Sequence, residues 1–357
     1  MKILMIIKRL HYSGAPKMFL WVAKSLADRG FDVTILTYQD NLYNDVPSNI
    51  KWIALDMEHA GFLKILYTIR KYVKKIRPEC CVSFLLDSNI FNTLACVGLK
   101  TKSVICERND PFKPKYYKLK IARPLFRFAN GGVFQLPKVA EYYKNIKAPT
   151  AVIPNPVVSN NSVQMESYAD RPNVVITIGR IDLEQKRLDV LVNAFSVFLK
   201  YKSDYKLLIY GDTRNLKEMD ELKLMISRLK LEDKVLLKGY TATPQEVMKD
   251  AKFFVITSDF EGIPNSLIEA MSIGLPCVAT DCRPGGAAFL IQDGVNGLLA
   301  PCGDEKTVAK KMLFLADHPM DAEKFGLEAK KIIDTYSEQK IASLWENYLR
   351  SLCYAPN

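Results

Sequence analysis

The sequence predicts an α/β protein that folds as two halves, each built on a mostly parallel β-sheet. Three observations lead to this fold class: a length of 357 residues, regular alternation of short apolar runs with helical patterns, and a change of charge part-way along the chain. A chain of this length with 48% hydrophobic and 25% charged residues suits two globular domains. Strands that alternate with helices form parallel sheets, because each crossover returns the chain to the same end of the sheet.

The first half begins with MKILMII at residues 1–7, an apolar run too short for a signal peptide and typical of a buried strand. Further strand patterns follow, namely VTIL near residue 35, CCVSFLL near 83, SVIC near 104 and AVI near 152. Residues 63–77 carry apolar side chains at helical spacing and predict an amphipathic helix.

The second half repeats the alternation. Its predicted strands are residues 174–179, 205–211, 234–240, 253–258 and 276–280, and the last predicted helix covers 337–352. A stretch of low hydrophobicity, residues 159–173, predicts the linker between the halves. We therefore expect an N-terminal domain over residues 1–165, a second domain over 166–336 and a terminal helical segment over 337–357.

The charge is concentrated in the first half. Residues 1–165 contain 25 Lys and Arg against 11 Asp and Glu, a net charge of +14, whereas the remainder contains 25 against 28, a net charge of −3. Two stretches, residues 63–77 and 112–128, mix basic with aromatic or aliphatic side chains. The first is an ordinary surface helix that packs its apolar face on the sheet, and its basic face is compatible with binding to anionic lipid headgroups as well. No helix-turn-helix, zinc-finger or RNA-recognition signature favours nucleic acid as a partner.

The remaining composition favours a cytoplasmic protein without structural metal. No apolar run reaches the roughly 20 residues that span a bilayer. The eight cysteines show no C-x-x-C pairing, which predicts free thiols, and three scattered histidines do not suit a zinc site.

The most specific motif is SDFEGIPNSLIEAMSIG at residues 258–274, in which Glu261 and Glu269 flank seven residues. An apolar β-branched run precedes it and a helix-forming run follows, so the motif lies at a strand-to-helix turn. Such turns bind phosphate or another anion at the helix N-terminus. An alternative for Glu269 is a capping box with Ser266 and no ligand.

This segment resembles the E-x7-E signature of family 4 retaining glycosyltransferases. Other segments that resemble the family, in the same order, are residues 152–157, 179–187, 274–281, Gly285 with Gly286, and 293–299. The resemblance implies the GT-B fold, in which two Rossmann-like domains face each other and the C-terminal helix crosses back to pack on the N-terminal domain.

The resemblance also assigns donor-binding roles. Arg180 and Lys186 are similar in position to the two cations that clamp the donor diphosphate, and the alternative for both is a solvated loop of mixed charge. Glu269 matches the glutamate that binds ribose hydroxyls, and Glu261 matches the one that faces the donor sugar. The turn and the first helical amides would contact phosphate or sugar through Gly262, Asn265, Ser266 and Leu267.

Three weaker assignments concern other loops. The first β–α loop resembles a glycine-rich loop that approaches the donor, with Gly14 present but Ser13 where the family often has a second glycine. Backbone near Tyr240 is a candidate for the base contact. Arg108 and Asn109 stand where many members have a histidine, so they either contact sugar or acceptor, or Arg108 forms an ion pair with Glu107 or Asp110.

Together the residues and the resemblance predict a retaining hexosyltransferase that moves a hexose or N-acetylhexosamine from a nucleotide sugar, UDP-linked by preference. The expected acceptor is a glycan, polyprenyl-diphosphate-linked, in capsule or O-antigen biosynthesis at the inner face of the plasma membrane. Neither a cofactor nor a metal is expected, because basic side chains and a helix N-terminus replace the divalent cation. The alternatives are a nucleotide-sugar 2-epimerase and a catalytically silent protein that docks on membranes.

Overall fold

The computed structural model describes residues 1–11, 14–39, 46–108, 110–112, 124–144, 146–158, 163–212 and 215–354. The chain divides into two compact units, one formed by Met1–Asn155 with Glu338–Asn357 and the other by Pro156–Ser337. The sequence predicts the first limit at residue 165, whereas the structure divides the chain between Asn155 and Pro156, ahead of the polar stretch at residues 159–173. The terminal helix belongs to the first unit, as the resemblance implies.

The strands follow one another in chain order as β1 Lys2–Ile7, β2 Asp32–Thr37, β3 Lys51–Ala54, β4 Cys80–Phe84, β5 Lys102–Glu107, β6 Gly131–Phe134, β7 Thr150–Val152, β8 Val174–Ile178, β9 Lys206–Tyr210, β10 Val235–Gly239, β11 Phe253–Ile256, β12 Cys277–Thr280 and β13 Leu298–Ala300.

The α-helices of the described residues are α1 Gly14–Ala27, α2 Phe62–Ile76, α3 Leu86–Cys96, α4 Pro137–Tyr142, α5 Leu188–Leu199, α6 Leu216–Arg228, α7 Pro244–Met248, α8 Asn265–Ser272, α9 Gly286–Leu290, α10 Glu305–Asp317, α11 Pro319–Lys330, α12 Ile332–Thr335 and α13 Glu338–Tyr354.

Each unit contains one parallel sheet. The first has seven strands in the order β3-β2-β1-β4-β5-β6-β7, and the second has six in the order β10-β9-β8-β11-β12-β13. Every strand pair in both sheets is parallel. The predicted α/β class is therefore confirmed. In the second sheet β8 lies beside β11, although β9 and β10 separate the two strands along the chain.

The predicted strands all occur, but three short strands were missed. β3, KWIA, begins and ends at an exposed residue, β6 starts with two glycines, and β13 has three residues. Each of the three has only two or three consecutive apolar residues, which is too short a run to identify a strand in sequence.

Helix α2 has the predicted amphipathic character. Ile65, Ile69 and Val73 are buried in the cluster that packs on the first sheet. On the outer face Leu63 and Tyr67 keep 77% and 70% of their surface exposed. Most of the second basic stretch, residues 113–123, lies outside the described residues.

The second unit encloses its own apolar core around the central strands. Phe253 and Val255 of β11 pack with Val175 of β8 and with apolar side chains of α5 and α10. All eight cysteines are free, and six of them are buried. No helix within the described residues is both long enough and apolar enough to span a bilayer.

Candidate functional site

The site lies in the second unit, where two neighbouring strands end. β8 and β11 pair in parallel, with Phe253 opposite Val175, so their carboxyl ends meet at one edge of the sheet. We call residues 179–187, which follow β8, the β8 loop, and residues 257–264, which follow β11, the β11 loop. Ligands bind at this edge in open parallel sheets.

Hydrogen bonds tie the two loops together. The amide of Asp259 donates to the Gln185 carbonyl at 2.9 Å. The Gln185 side chain donates in return to the carbonyl of Phe260 at 3.1 Å. The Thr257 hydroxyl donates to the carbonyl of Lys186 at 3.1 Å. These contacts place Lys186 beside the segment that carries the first glutamate of the motif.

Lys186 and Glu261 form an ion pair in which Lys186 Nζ donates to Glu261 Oε1. The Ser258 hydroxyl donates to the same carboxylate oxygen at 3.0 Å. Only 15% of the lysine side chain and 11% of the glutamate side chain are exposed. The lysine stem lies over Gly179, where a Cβ would be 3.3 Å from Lys186 Cε. The structure therefore brings together one predicted phosphate clamp and the predicted sugar-facing glutamate.

Arg180, the other predicted clamp, takes a more exposed position. Its guanidinium donates to Gln185 Oε1 at 2.8 Å and lies 3.4 Å from Asp182, with 61% of the side chain exposed. These are the contacts of a mixed-charge loop, yet they hold the cation on the same loop as Lys186. Screening by solvent makes such an exposed pair weak, so an anionic ligand could displace it at small cost.

The E-x7-E segment forms the predicted strand-to-helix turn. Helix α8 begins at Asn265, and its N-cap is Pro264 without a side-chain cap hydrogen bond. Ser266 is therefore the second residue of the helix, and the capping box with Glu269 is not the cap of this helix. The first amides of a helix have no acceptors within it, so this turn is suited to an anion.

Residues that follow β12 contact the segment around Glu261. The amide of Glu261 donates to the Arg283 carbonyl at 2.8 Å. Gly286 packs so closely on the turn that a Cβ there would lie 1.5 Å from the Gly262 carbonyl oxygen. Of the two glycines noted in the sequence, Gly286 thus has a steric reason for lacking a side chain.

The remaining predicted residues are not part of this cluster. Tyr240 follows β10, at the edge of the sheet, and is 58% exposed. Gly14 begins α1 in the first unit. Ser13 and Asn109 lie outside the described residues. Among the described residues, no group of three or more His, Cys, Asp or Glu is placed to hold a metal ion.

Arg108 lies inside the first unit. Its Nη1 donates to Asn155 Oδ1 at 2.9 Å, and its guanidinium carbon is 4.3 Å from the ring centroid of Phe84. Burial lowers its pKa to about 10. Within the described residues it forms no ion pair with Glu107 or Asp110, so an amide and an aromatic ring hold this cation instead. These contacts stabilise the first unit internally.

Sequence reasoning assigned no role to three residues that build the cluster, Ser258, Gln185 and Asp259. Gln185 and Asp259 link the two loops, whereas Ser258 contacts Glu261 within its own loop. The one signal available was their position within three residues of Lys186 or Glu261 along the chain.

Residues 172–318 match the family model of Glycosyl transferases group 1. The chain is a glycosyltransferase, and this part of it is similar to that family. The matched stretch contains both loops and the whole E-x7-E segment, so the family and the geometry concern the same part of the second unit.

Curated relatives of this glycosyltransferase also bear the names of glycosyltransferases. It is 26% identical over 323 residues, 87% of this chain and 88% of the relative, to GalNAc-alpha-(1->4)-GalNAc-alpha-(1->3)-diNAcBac-PP-undecaprenol alpha-1,4-N-acetyl-D-galactosaminyltransferase of Campylobacter jejuni. It is 37% identical over 167 residues, 46% of this chain and 33% of the relative, to a poly(ribitol-phosphate) alpha-N-acetylglucosaminyltransferase of Staphylococcus aureus.

Solved structures confirm the GT-B architecture of the glycosyltransferase. The structure of Anabaena Alr3699/HepE in complex with UDP and glucose superposes with a TM-score of 0.85 at 19% identity, covering 98% of this chain and 100% of the other. At that identity the likeness concerns the fold.

Proposed function

We propose that this glycosyltransferase is a retaining enzyme that moves a hexose or N-acetylhexosamine from a UDP sugar to a polyprenyl-diphosphate-linked glycan in bacterial surface polysaccharide biosynthesis. The observation that carries the proposal is the ion pair of Lys186 and Glu261 at the carboxyl edge of the second sheet, beside the N-terminus of α8. A cation, a carboxylate and a helix N-terminus are what a sugar diphosphate requires.

Transfer of the sugar needs stabilisation of the leaving diphosphate. An ammonium has three donors, so Lys186 is able to hold Glu261 and a phosphate oxygen at once. The N-terminal turn of α8 and Arg180 add positive potential without a divalent cation. Glu261, held by Ser258 and Lys186, orients the donor sugar, and the leaving phosphate accepts the proton of the acceptor hydroxyl. No protein nucleophile is then required.

The relatives support the choice of substrates. Two Campylobacter jejuni enzymes among them bear names of transferases acting on undecaprenol-linked glycans, and the Anabaena protein is described in complex with UDP. The proposal for this chain takes its lipid-linked acceptor and its uridine-nucleotide donor from those descriptions.

The test is calorimetric titration of the wild type with UDP and with GDP, without added metal. We expect UDP to bind and GDP to bind less tightly or not at all. Binding of neither nucleotide would overturn the donor-site assignment, and preference for GDP would overturn the donor class.

The same titration tests the ribose contact. Glu269→Ala raises the dissociation constant for UDP roughly 10- to 100-fold, because a hydrogen bond to a charged group contributes about 1.5–3 kcal/mol. Glu221→Ala is the matched control, since this glutamate of α6 forms a surface ion pair with Lys217 at 3.8 Å and lies outside the two loops. Unchanged UDP affinity in Glu269→Ala, with unchanged thermal unfolding, would contradict the assignment.

We also propose that the protein binds peripherally to anionic lipid at the inner face of the plasma membrane, through the outer face of α2. Exposed Leu63 and Tyr67 occupy the start of this face, and the exposed lysines 64, 71, 74 and 75 extend it. Apolar side chains that enter the headgroup region next to several ammonium groups suit an interfacial helix.

Lys71→Glu with Lys74→Glu lowers the affinity for phosphatidylglycerol vesicles at least about tenfold, because each basic residue near the surface contributes about 1 kcal/mol. The control is Lys217→Glu with Lys223→Glu, which changes net charge equally on α6 of the other unit. Equal loss of binding in both variants, or binding insensitive to salt, would contradict a local docking face.

A further inference from the structure

A second ion pair joins the two loops next to the first. Arg187 follows Lys186 in the chain, and Asp259 lies two residues before Glu261. Arg187 Nη1 donates to Asp259 Oδ2 at 2.6 Å across the loops. The chain thus carries two parallel cross-loop links, Lys186 to Glu261 and Arg187 to Asp259.

The guanidinium of Arg187 is fixed on both of its edges. Its Nε and Nη2 donate to Asp189 at the start of α5, each at 3.0 Å, while Nη1 is left to reach Asp259. Hydrogen bonds to Asp189 and Asp259 raise the pKa of Arg187, so its charge is permanent at any physiological pH. The guanidinium is planar, so fixing Nε and Nη2 on Asp189 also fixes the direction of Nη1. Arg187 therefore sets the position of the Asp259 carboxylate.

The backbone of Arg187 is also held in place by the β11 loop. Its φ is +50°, a left-handed conformation that a non-glycine residue adopts only when its surroundings impose it. The Thr257 hydroxyl of the other loop bonds the Arg187 carbonyl at 2.9 Å, besides that of Lys186. The β11 loop therefore holds Arg187 through both side chain and backbone.

We infer that Arg187 and Asp259 are a positioning pair, which keeps Lys186 and Glu261 in register for the donor without touching it. The catalytic consequence rests on the proposed function, but the mechanical link between the loops does not. If the Arg187–Asp259 contact is broken, both loops become more mobile, and Lys186 and Glu261 no longer keep the relative position that the donor needs.

The test compares Asp259→Asn, Arg187→Gln and the double variant with Asp317→Asn. Asp317 is the matched control, because its ion pair with Lys202 is also 2.6 Å long and lies in the same unit away from the two loops. Hydrogen exchange of peptides over residues 182–188 and 257–263 is measured on the ligand-free protein, and the dissociation constant for UDP is measured by calorimetry without metal.

We expect Asp259→Asn to raise exchange in both loops and the dissociation constant for UDP roughly tenfold each, with Asp317→Asn changing neither. Arg187→Gln also removes the hydrogen bonds to Asp189. The double variant is expected to be no worse than the more impaired single variant, because either substitution alone already breaks the Arg187–Asp259 contact. Should Asp259→Asn fail to fold, Arg187→Lys, which keeps the charge and gives up the fork, replaces it.

Unchanged exchange in both loops, additive effects in the double variant, or an equal loss of UDP affinity in Asp317→Asn would overturn the positioning pair. If the wild type binds neither UDP nor GDP, the donor site is wrong, while the exchange data still decide whether the pair holds the loops.

Discussion

Lys186→Ala raises the dissociation constant for UDP and lowers glycosyl transfer at least about 100-fold, the largest effect on activity that we expect from a single side chain. The substitution removes the cation that would face the diphosphate. It also leaves the Glu261 carboxylate, 11% exposed, with the Ser258 hydroxyl but without its counter-charge. Breaking a largely buried ion pair by removing one partner costs about 3 kcal/mol or more. The measurements are calorimetric titration with UDP and release of UDP from UDP sugars.

Two companion variants separate the causes. Lys202→Ala removes a surface lysine that pairs with Asp317, and we expect wild-type UDP affinity. Glu261→Gln keeps the ammonium and the shape, so UDP should bind within roughly threefold of wild type while transfer falls about 100-fold. If Lys186→Ala bound UDP as well as Lys202→Ala does, the diphosphate would lie elsewhere.

Gly286→Ala has the largest expected effect on stability. A Cβ at this position would lie 1.5 Å from the Gly262 carbonyl oxygen and 3.3 Å from that of Glu261. Both neighbours are backbone atoms, so the β11 loop would have to move. Overpacking of this kind costs about 3 kcal/mol, and the displaced turn should also lose UDP binding. Thermal unfolding and UDP titration measure the two effects.

Gly61→Ala is the control, since a Cβ there meets nothing within 4 Å and the backbone φ is −67°. If Gly286→Ala does not fold, Gly211→Ala tests the same principle at the β8 loop, where a Cβ would lie 1.8 Å from the Gly179 carbonyl oxygen. Wild-type unfolding and UDP affinity in Gly286→Ala would show that the close approach does not exist.

Most of the fold could be predicted because its strands are buried on both faces. β8, β11 and β12 are apolar runs of four or five residues with at most one threonine, and such runs are visible in a single sequence. The short strands β3, β6 and β13 have only two or three consecutive apolar residues, and their pairing depends on neighbouring strands that the local pattern does not reveal.

The candidate site divides in the same way. The E-x7-E turn was predictable, because a buried strand, a proline and a helix-forming run follow one another in the chain. The capping box was a reasonable alternative from spacing alone, but helix α8 begins at Asn265, which places Ser266 inside the first turn. Arg108 is an example of what spacing does not reveal, because its contacts with the Phe84 ring and with Asn155 join residues far apart in the chain.

By itself the sequence determined the α/β class, the E-x7-E turn and the basic amphipathic helix, since each follows from residues close together in the chain. Only the tertiary structure decided that Lys186 contacts Glu261 over 75 residues and that Arg187 contacts Asp259 over 72. The reason is strand order: β8 pairs with β11, so two loops far apart in the chain end at one edge of one sheet. Local periodicity identifies strands, but the choice of neighbouring strand comes from packing of the whole unit.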